Sequence, residues 1–385
     1  MGRHYLQIPG PTNCPDEVLR AIAKPTIDHR GPEFQALGTR VLENIKPVFQ
    51  TKNPVIIYPA SGTGAWEAAL VNTLSPGDRV LCFETGHFAT LWQKIATELG
   101  LVVDFVPGDW RHGVDTDVLA ERLTADAAHE IKAVCCVHNE TSTGVTSRIG
   151  DVRTAIDSAD HPALLLVDTI SSLGSIDYRH DEWRVDVTIS GSQKGLMLPP
   201  GLSFNAISDK ALAAYENAEL PKSYWDWKPI LDANANGFWQ YTPATNLLYG
   251  LEVALRLLDE EGLGNVFARH QRHSAATRAA VAAWGGGLEV QCLDEREHSG
   301  ALTAIRVPDG HDADAIRKLI LERFDMSLGA GLSKLAGKVF RIGHLGWFED
   351  LSLIGTLGGV QIGLSMSGVP INKDGVEAAM EVLEQ

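Results

Sequence analysis

The stretch ALLLVDTISSLGSIDYRHDEWRVDVTISGSQKG, residues 163–195, holds two short apolar runs, each ending in polar chemistry: Asp168 after the first and Lys194 after the second. The first run, ALLLV, is apolar at consecutive positions, so both of its faces ask to be covered, which is the pattern of a strand inside a parallel sheet. The second, VDVTIS, alternates, and is read as a strand of the same sheet from its place in a series of short runs separated by helix-like segments. Parallel strands end on one edge, which brings Asp168 and Lys194 together. Asp168 closes an apolar strand and must be partnered or protonated there, or else cap the following turn. Lys194 sits in GSQKGLMLPPG, residues 191–201, among glycines, apolar residues and a proline pair, with no carboxylate close in sequence. A lysine in such surroundings finds a partner, loses its proton or is chemically modified, because an unpaired buried ammonium is costly.

The same kind of run recurs along the chain: VIIYP from 55, RVLCFE from 79, LVVDFV from 101, IKAVCCVH from 131 and LSFNAI from 202. With the two runs above they alternate with helix-like segments, which predicts an α/β fold whose largely parallel sheet is covered by helices on both sides. Upstream, Phe34, Leu37, Val41, Ile45 and Val48 fall at helical spacing. Downstream, PATNLLYGLEVALRLLDEEG, residues 243–262, reads as a long helix with Leu247, Leu251, Ala254 and Leu258 on one face and a glycine at its end. Beyond it come VFARHQRHSAATRAAVAAW, ALTAIRV, DADAIRKLILERF, KVFRIGHLG and a last helix near 373–384. The expected organisation is an N-terminal segment over 1–20 that joins a smaller domain, a large domain over 21–258, and a smaller α/β domain over 259–385.

Composition narrows the function. The 385 residues carry 33 basic against 49 acidic side chains, a formal charge of −16, which disfavours a broad nucleic-acid or anionic-membrane surface. Apolar runs such as ALLLV are too short to span a bilayer, and MGRHYLQIPG has no signal-type apolar core. The expectation is a cytoplasmic protein. Five cysteines, two of them adjacent in an apolar strand, read as reduced thiols and not as a disulfide framework. His270 and His273, in the charged stretch ARHQRHSAATR, are expected on a solvated helix face, and no metal site is expected.

In parallel α/β sheets ligands sit beyond the carboxyl ends of the strands. After VIIYPA comes SGTGAWEAA, where Ser61, Gly62 and Thr63 lead into a helix. A helix N-terminus with hydroxyls is a phosphate cradle, although a small-residue cap serves any helix. After RVLCFE comes TGHF, which puts Phe88 where a ring could stack on a planar ligand or simply fill the core. After IKAVCCV comes HNETSTG, with His138, Asn139, Thr141 and Ser142 supplying more hydrogen-bonding groups than a turn needs. The last two strand ends hold Asp168 and the pair Gln193 and Lys194. One ligand satisfies all five places: a planar ring with a phosphate arm, an aldehyde and a protonatable nitrogen, which is pyridoxal 5'-phosphate.

The blocks IPGPTNCP, PASGTGAWEAALVNTLSPGD, HNETSTGV, VDTISSLGS, GSQKGLMLPPG, YTPATNLLYGL and GKVFRIGHLG resemble the class V, fold-type I aminotransferases, most closely the serine-glyoxylate and alanine-glyoxylate enzymes. The resemblance runs from about residue 5 to 365. It implies a large domain with a mostly parallel seven-stranded sheet sandwiched by helices, a smaller C-terminal α/β domain, and a homodimer with shared active sites. It implies that Lys194 is the Schiff-base lysine and the proton carrier, and that Asp168 partners the pyridine nitrogen. Ser61, Gly62, Thr63 and Gln193 would hold the phosphate, Phe88 would stack on the ring, Ile170 would join the cofactor-binding set, and Thr141 would lie near the ring hydroxyl. Trp239 and Thr242, in FWQYTP, match a motif through which a second subunit closes the phosphate site; Trp239 stands where relatives carry tyrosine or phenylalanine. Arg341 matches the arginine that binds the substrate α-carboxylate, a task suited to its two-pronged guanidinium.

The implied reaction moves an amino group from a small L-amino acid, serine first, to glyoxylate, giving glycine and a 2-oxo acid, hydroxypyruvate from serine. Alanine and aspartate are the rival donors, since the stretch 219–245 departs from the serine branch. A cysteine desulfurase or lyase would need a mobile nucleophilic cysteine, for which Cys292 in VQCLDERE is the candidate, with strand-like flanks that argue for burial. A dinucleotide oxidoreductase lacks its GxGxxG after the first strand. A cofactor-free binding protein is disfavoured by the intact lysine and aspartate.

Overall fold

The computed structural model describes residues 4–385, so the first three residues of the expected N-terminal segment lie outside it. The seven apolar runs form one sheet, in the order Val55–Tyr58, Ser203–Ile207, Val187–Gly191, Leu164–Asp168, Ile131–Val137, Arg79–Phe83, Val102–Val106. Only Ser203–Ile207 runs against its neighbours; the other six point the same way. The central strands are buried on both faces, between one hydrophobic cluster that includes Phe34, Val41, Leu165 and Leu251 and another that includes Trp66, Trp92, Leu166 and Ile189. Val102–Val106 departs from the expectation. It is the edge strand, Val102 is 44% exposed, and its apolar run covers only one neighbour.

The early amphipathic segment is two helices, Pro32–Asn44 and Lys46–Phe49, with a joint at Ile45 ahead of Pro47. The long helix is Thr245–Glu261, stopped by Gly262 at φ 78°. A second sheet follows in the order Tyr5–Gln7, Met326–Ala330, Val339–Gly343, Leu302–Arg306, Glu289–Val290, its first strand coming from the N-terminus and running parallel to Met326–Ala330. It has its own apolar cluster around Ile305, Phe340, Ile316 and Leu357. No helix among the described residues is long and apolar enough to cross a membrane.

The histidine pair overturns its expectation. His270 and His273 lie in Leu263–Trp284 and are fully buried, on the same side as Val266, Ala276 and Ala280. His270 Nε2 accepts from the Gly346 amide at 3.0 Å, and His273 Nε2 lies 2.8 Å from Asp350 Oδ1. The arginines that made the stretch look solvated are themselves engaged, Arg269 with Glu261 and the Gly346 and Phe348 carbonyls, and Arg272 with Asp350. Burial pushes His270 down to about 3, so it stays neutral.

Candidate active site

The carboxyl edge of the large sheet gathers the residues that the sequence singled out. Asp168, the last residue of Leu164–Asp168, is 4% exposed. Its Oδ1 accepts from the Ile170 amide at 2.6 Å and its Oδ2 from Trp66 Nε1 at 3.0 Å. Among the described residues no basic side chain comes within ion-pair distance of it. Burial pushes its pKa up to about 7, opposed by the Ile170 amide and reinforced by the charge of Glu140.

Lys194 follows Val187–Gly191, with Nζ donating to the Pro9 carbonyl of the N-terminal segment. Gly10, at φ 98°, allows this approach, since a Cβ there would fall 2.3 Å from Lys194 Cδ. Burial, helped by the positive charge of Arg341 and opposed by Asp168, lowers the Lys194 pKa to about 7. The same burial that disfavours ammonium disfavours carboxylate. Neither group is paired well enough to hold its charge at no cost.

The Gly62–Thr73 helix starts beside these two. Its N-cap Ser61 makes no capping bond, no acidic residue lies in its first turn, and the Gly62 and Thr63 amides and the Ser61 and Thr63 hydroxyls have no partner among the described residues. A Cβ on Gly62 would lie 2.3 Å from Ile170 Cδ1, so only glycine lets the turn sit against that side chain. The Gln193 side-chain amide has no partner among the described residues, and its Oε1 is buried. Uncommitted amides, two hydroxyls and the positive end of a helix suit a phosphate.

Phe88 is half-buried in the first turn of His87–Glu98. Thr141 is buried in the tight turn between Asn139–Glu140 and Val145–Thr146, its hydroxyl 2.8 Å from Ser171 Oγ. The polar crowd around it is consumed locally: His138 Nδ1 meets Ser172 Oγ at 2.9 Å and Asn139 Nδ2 donates to Ser171 Oγ at 2.8 Å. These bonds lock the turn to the segment after Asp168. Arg341, on Val339–Gly343 of the second sheet, reaches across to it. Its Nη1 donates to the Thr141 carbonyl at 2.7 Å and its Nε to the Ala330 carbonyl at 2.8 Å. Nη2 has no acceptor among the described residues, so one edge of the guanidinium is available to a carboxylate. Burial lowers Arg341 to about 10, which leaves it charged.

Two sequence-selected residues lie apart from this cluster. Trp239 donates from Nε1 to the Ile57 carbonyl at 2.8 Å and sets its ring edge-on to Phe34, a packing role within its own chain. Thr242 is exposed, beside Tyr241. Cys292 is 3% exposed and burial pushes its thiol up to about 12, which is inert chemistry for a nucleophile. The sequence reading passed over Trp66, Glu140 and the Pro9 carbonyl. Trp66 and Glu140 stand inside quoted motifs, and the missing signal was which way they face. A surface cavity of about 580 Å³, lined by Tyr5, Arg269, Trp347 and Phe348 among others, does not include Lys194.

Comparison with known proteins adds three findings. The family model described as aminotransferase class-V matches residues 4–344. A serine–glyoxylate aminotransferase of Methylorubrum extorquens is 48% identical, covering 100% of this chain and 97% of its own, and an L-aspartate–glyoxylate aminotransferase of Paracoccus denitrificans is 46% identical, covering 98% and 96%. The crystal structure of ureidoglycine–glyoxylate aminotransferase from Bacillus subtilis superposes with a TM-score of 0.91 at 27% identity, covering 100% of this chain and 99% of that one.

Proposed function

The chain belongs to the class-V aminotransferases and is an aminotransferase of fold type I, and from that premise we propose that it moves an amino group from a small L-amino acid, serine first, to glyoxylate. The observation that carries the reading is the meeting, at one sheet edge, of a buried lysine, a buried carboxylate without a cation, and an arginine with a free guanidinium edge. The glyoxylate acceptor rests on the relatives. Serine is favoured over aspartate because Asp168 and Glu140 are already buried at this edge, and a dicarboxylate donor would add a further negative charge beside them.

The family implies pyridoxal 5'-phosphate, and the uncommitted cradle suits it. When bound, it supplies an aldehyde carbon that can hold an amine and a ring that takes up the electron pair left by a departing α-proton. Ser61, Gly62, Thr63 and Gln193 would hold the phosphate, Phe88 and Ile170 would bear on the ring, and Thr141 would lie near the ring hydroxyl. Asp168, kept in place by Trp66 and Ile170, would face the ring nitrogen. Lys194 Nζ would hold the aldehyde at rest. Released by substrate and depressed towards neutrality, it would take the α-proton and return it. Arg341 would orient the substrate through its α-carboxylate.

A homodimer with Thr242 reaching a neighbouring copy's phosphate is supported by the exposed Tyr224 and Tyr241 rings, stacked with centroids 5.0 Å apart close to Thr242 in sequence. The free state of all five cysteines supports a reducing compartment, the cytoplasm. The division into residues 21–258 and 259–385 remains our reading of the two sheets.

The reading is tested by incubating the protein with pyridoxal 5'-phosphate, reducing with borohydride and mapping the label. A pyridoxyl group on Lys194, absent in Lys194→Ala together with about 10³-fold or more of the activity, is expected. A colourless, unlabelled protein would sink it. Serine, alanine and aspartate are then compared as donors to glyoxylate, with glycine formation highest from serine; glycine formed from none of them would end the substrate assignment.

A further inference from the structure

Glu140 is the buried carboxylate at this edge to which the reading above gives no task. It is 1% exposed, and among the described residues no basic side chain lies within ion-pair distance. Its partners are instead the start of a helix 50 residues earlier in the chain. Oε2 accepts from the Ala89 amide at 3.1 Å; Oε1 accepts from the Phe88 amide at 3.4 Å and from the Ser142 amide and hydroxyl at 3.0 and 2.7 Å. Ser142 Oγ in turn accepts from the His87 amide at 2.9 Å. These are the first three amides of His87–Glu98, whose own N-cap, Gly86, has no side chain and whose first turn has no acid. The helix therefore borrows its cap, and its orphan N–H groups are met by the oxygens of Glu140 and Ser142.

The next residue links the same turn to the other sheet, because the Thr141 carbonyl is the acceptor for Arg341 Nη1. One tight turn therefore holds the helix that carries Phe88 on one side and the guanidinium of Arg341 on the other. A surface cap needs no such burial.

We propose that Glu140 is a positioning residue for the transamination site: its carboxylate fixes the first turn that carries Phe88 and the turn whose carbonyl aims Arg341. The proposal rests on the roles assigned above to Phe88 and Arg341. It makes one carboxylate responsible for both cofactor seating and substrate-carboxylate binding.

The test uses full-length Glu140→Gln, which keeps the shape but turns an amide NH2 towards backbone donors. Ser142→Ala is the milder companion should the first variant fold poorly. Hydrogen exchange of the cofactor-free protein should be at least about tenfold faster at residues 87–89 and unchanged in the Gly62–Thr73 helix. Pyridoxal 5'-phosphate should bind about tenfold more weakly, and the KM for the amino donor should rise about fivefold, with Ser142→Ala shifting the same way by less. Faster exchange with unchanged cofactor affinity and KM would make Glu140 a helix cap only and overturn the proposal. Phe88→Ala and Arg341→Lys are run in parallel. If they weaken cofactor and donor binding while Glu140→Gln does not, the inference about Glu140 fails alone; if they change neither, the reading beneath it fails as well.

Discussion

Two aspartates are buried at opposite ends of adjacent strands of the large sheet, and they are treated oppositely. Asp186, just before Val187–Gly191, is 3% exposed; it accepts from the Leu165 amide at 2.8 Å and the Ser208 hydroxyl at 3.0 Å, and Lys210 Nζ stands 3.5 Å away. Asp168, at the carboxyl end of Leu164–Asp168, is as deeply buried and has its own two donors but no cation, and burial pushes it up to about 7. One end of the sheet neutralises its carboxylate with the protein's own charges. The other leaves the charge unbalanced beside an equally unbalanced lysine, which is how a fold holds chemistry in readiness for a ligand.

Exchanging the two aspartates for asparagine should break the comparison most sharply. Asp168→Asn should lower kcat about 10²–10³-fold with a thermal midpoint close to the parent, since on the proposed reading it removes the charge that would face the ring nitrogen. Asp186→Asn should keep kcat per folded molecule within about twofold but lose about 1–2 kcal/mol in denaturant unfolding, because a buried amide would meet the Leu165 and Ser208 donors with an acceptor short, while the half-exposed Lys210 stays solvated. Similar losses of activity in both would show that the two ends do not differ in the way argued. Next in size, Arg341→Lys should raise the donor KM about 10–100-fold, since an ammonium cannot offer the two-pronged edge while Thr141 and Ala330 are also served.

The lysine sets the pH dependence. Burial lowers Lys194 to about 7, so the amine is protonated below that pH and free to capture an aldehyde above it. Capture of pyridoxal 5'-phosphate by the cofactor-free protein should therefore rise about tenfold from pH 6 to pH 8 and then level off. A rate that keeps climbing to pH 10 would mean an ordinary lysine. The smallest effect belongs to the bridge between the sheets, where Lys334 pairs with Glu84 and lies over the Trp110 ring at 5.1 Å. The Lys334 side chain is 60% exposed, so Lys334→Ala should raise the donor KM only about twofold, and salt should erase the difference.

The legible parts of the fold were those whose burial is symmetric. Runs such as VIIYP and ALLLV could be read because covering both faces demands consecutive apolar residues, and Asp168 and Lys194 could be read because they are charged groups at or just beyond the end of a strand. The helix Asp350–Met366 was invisible: glycines at 355, 358, 359 and 363 argue against a helix, yet at Gly363 a Cβ would fall 2.3 Å from the Ile320 side chain, so the glycine serves close helix packing. His270 and His273 misled for the opposite reason, since charged neighbours that find partners within the fold disguise a buried face. Glu140 and Trp66 stood inside quoted motifs and still went unread, because a cap or a donor supplied from another element leaves no periodic mark.

The sequence by itself determined the class of the fold and the shared edge of Asp168 and Lys194, because strand patterning is a local property; Arg341 was expected from the resemblance of its motif to the family. Only the tertiary structure decided that Asp168 has donors without a cation, that Lys194 folds onto the Pro9 carbonyl, that Trp239 packs within its own chain, and that Glu140 caps a helix far from it in sequence. Those are questions of what surrounds a charge once water is excluded, and the neighbours that answer them lie 50 to 200 residues away along the chain.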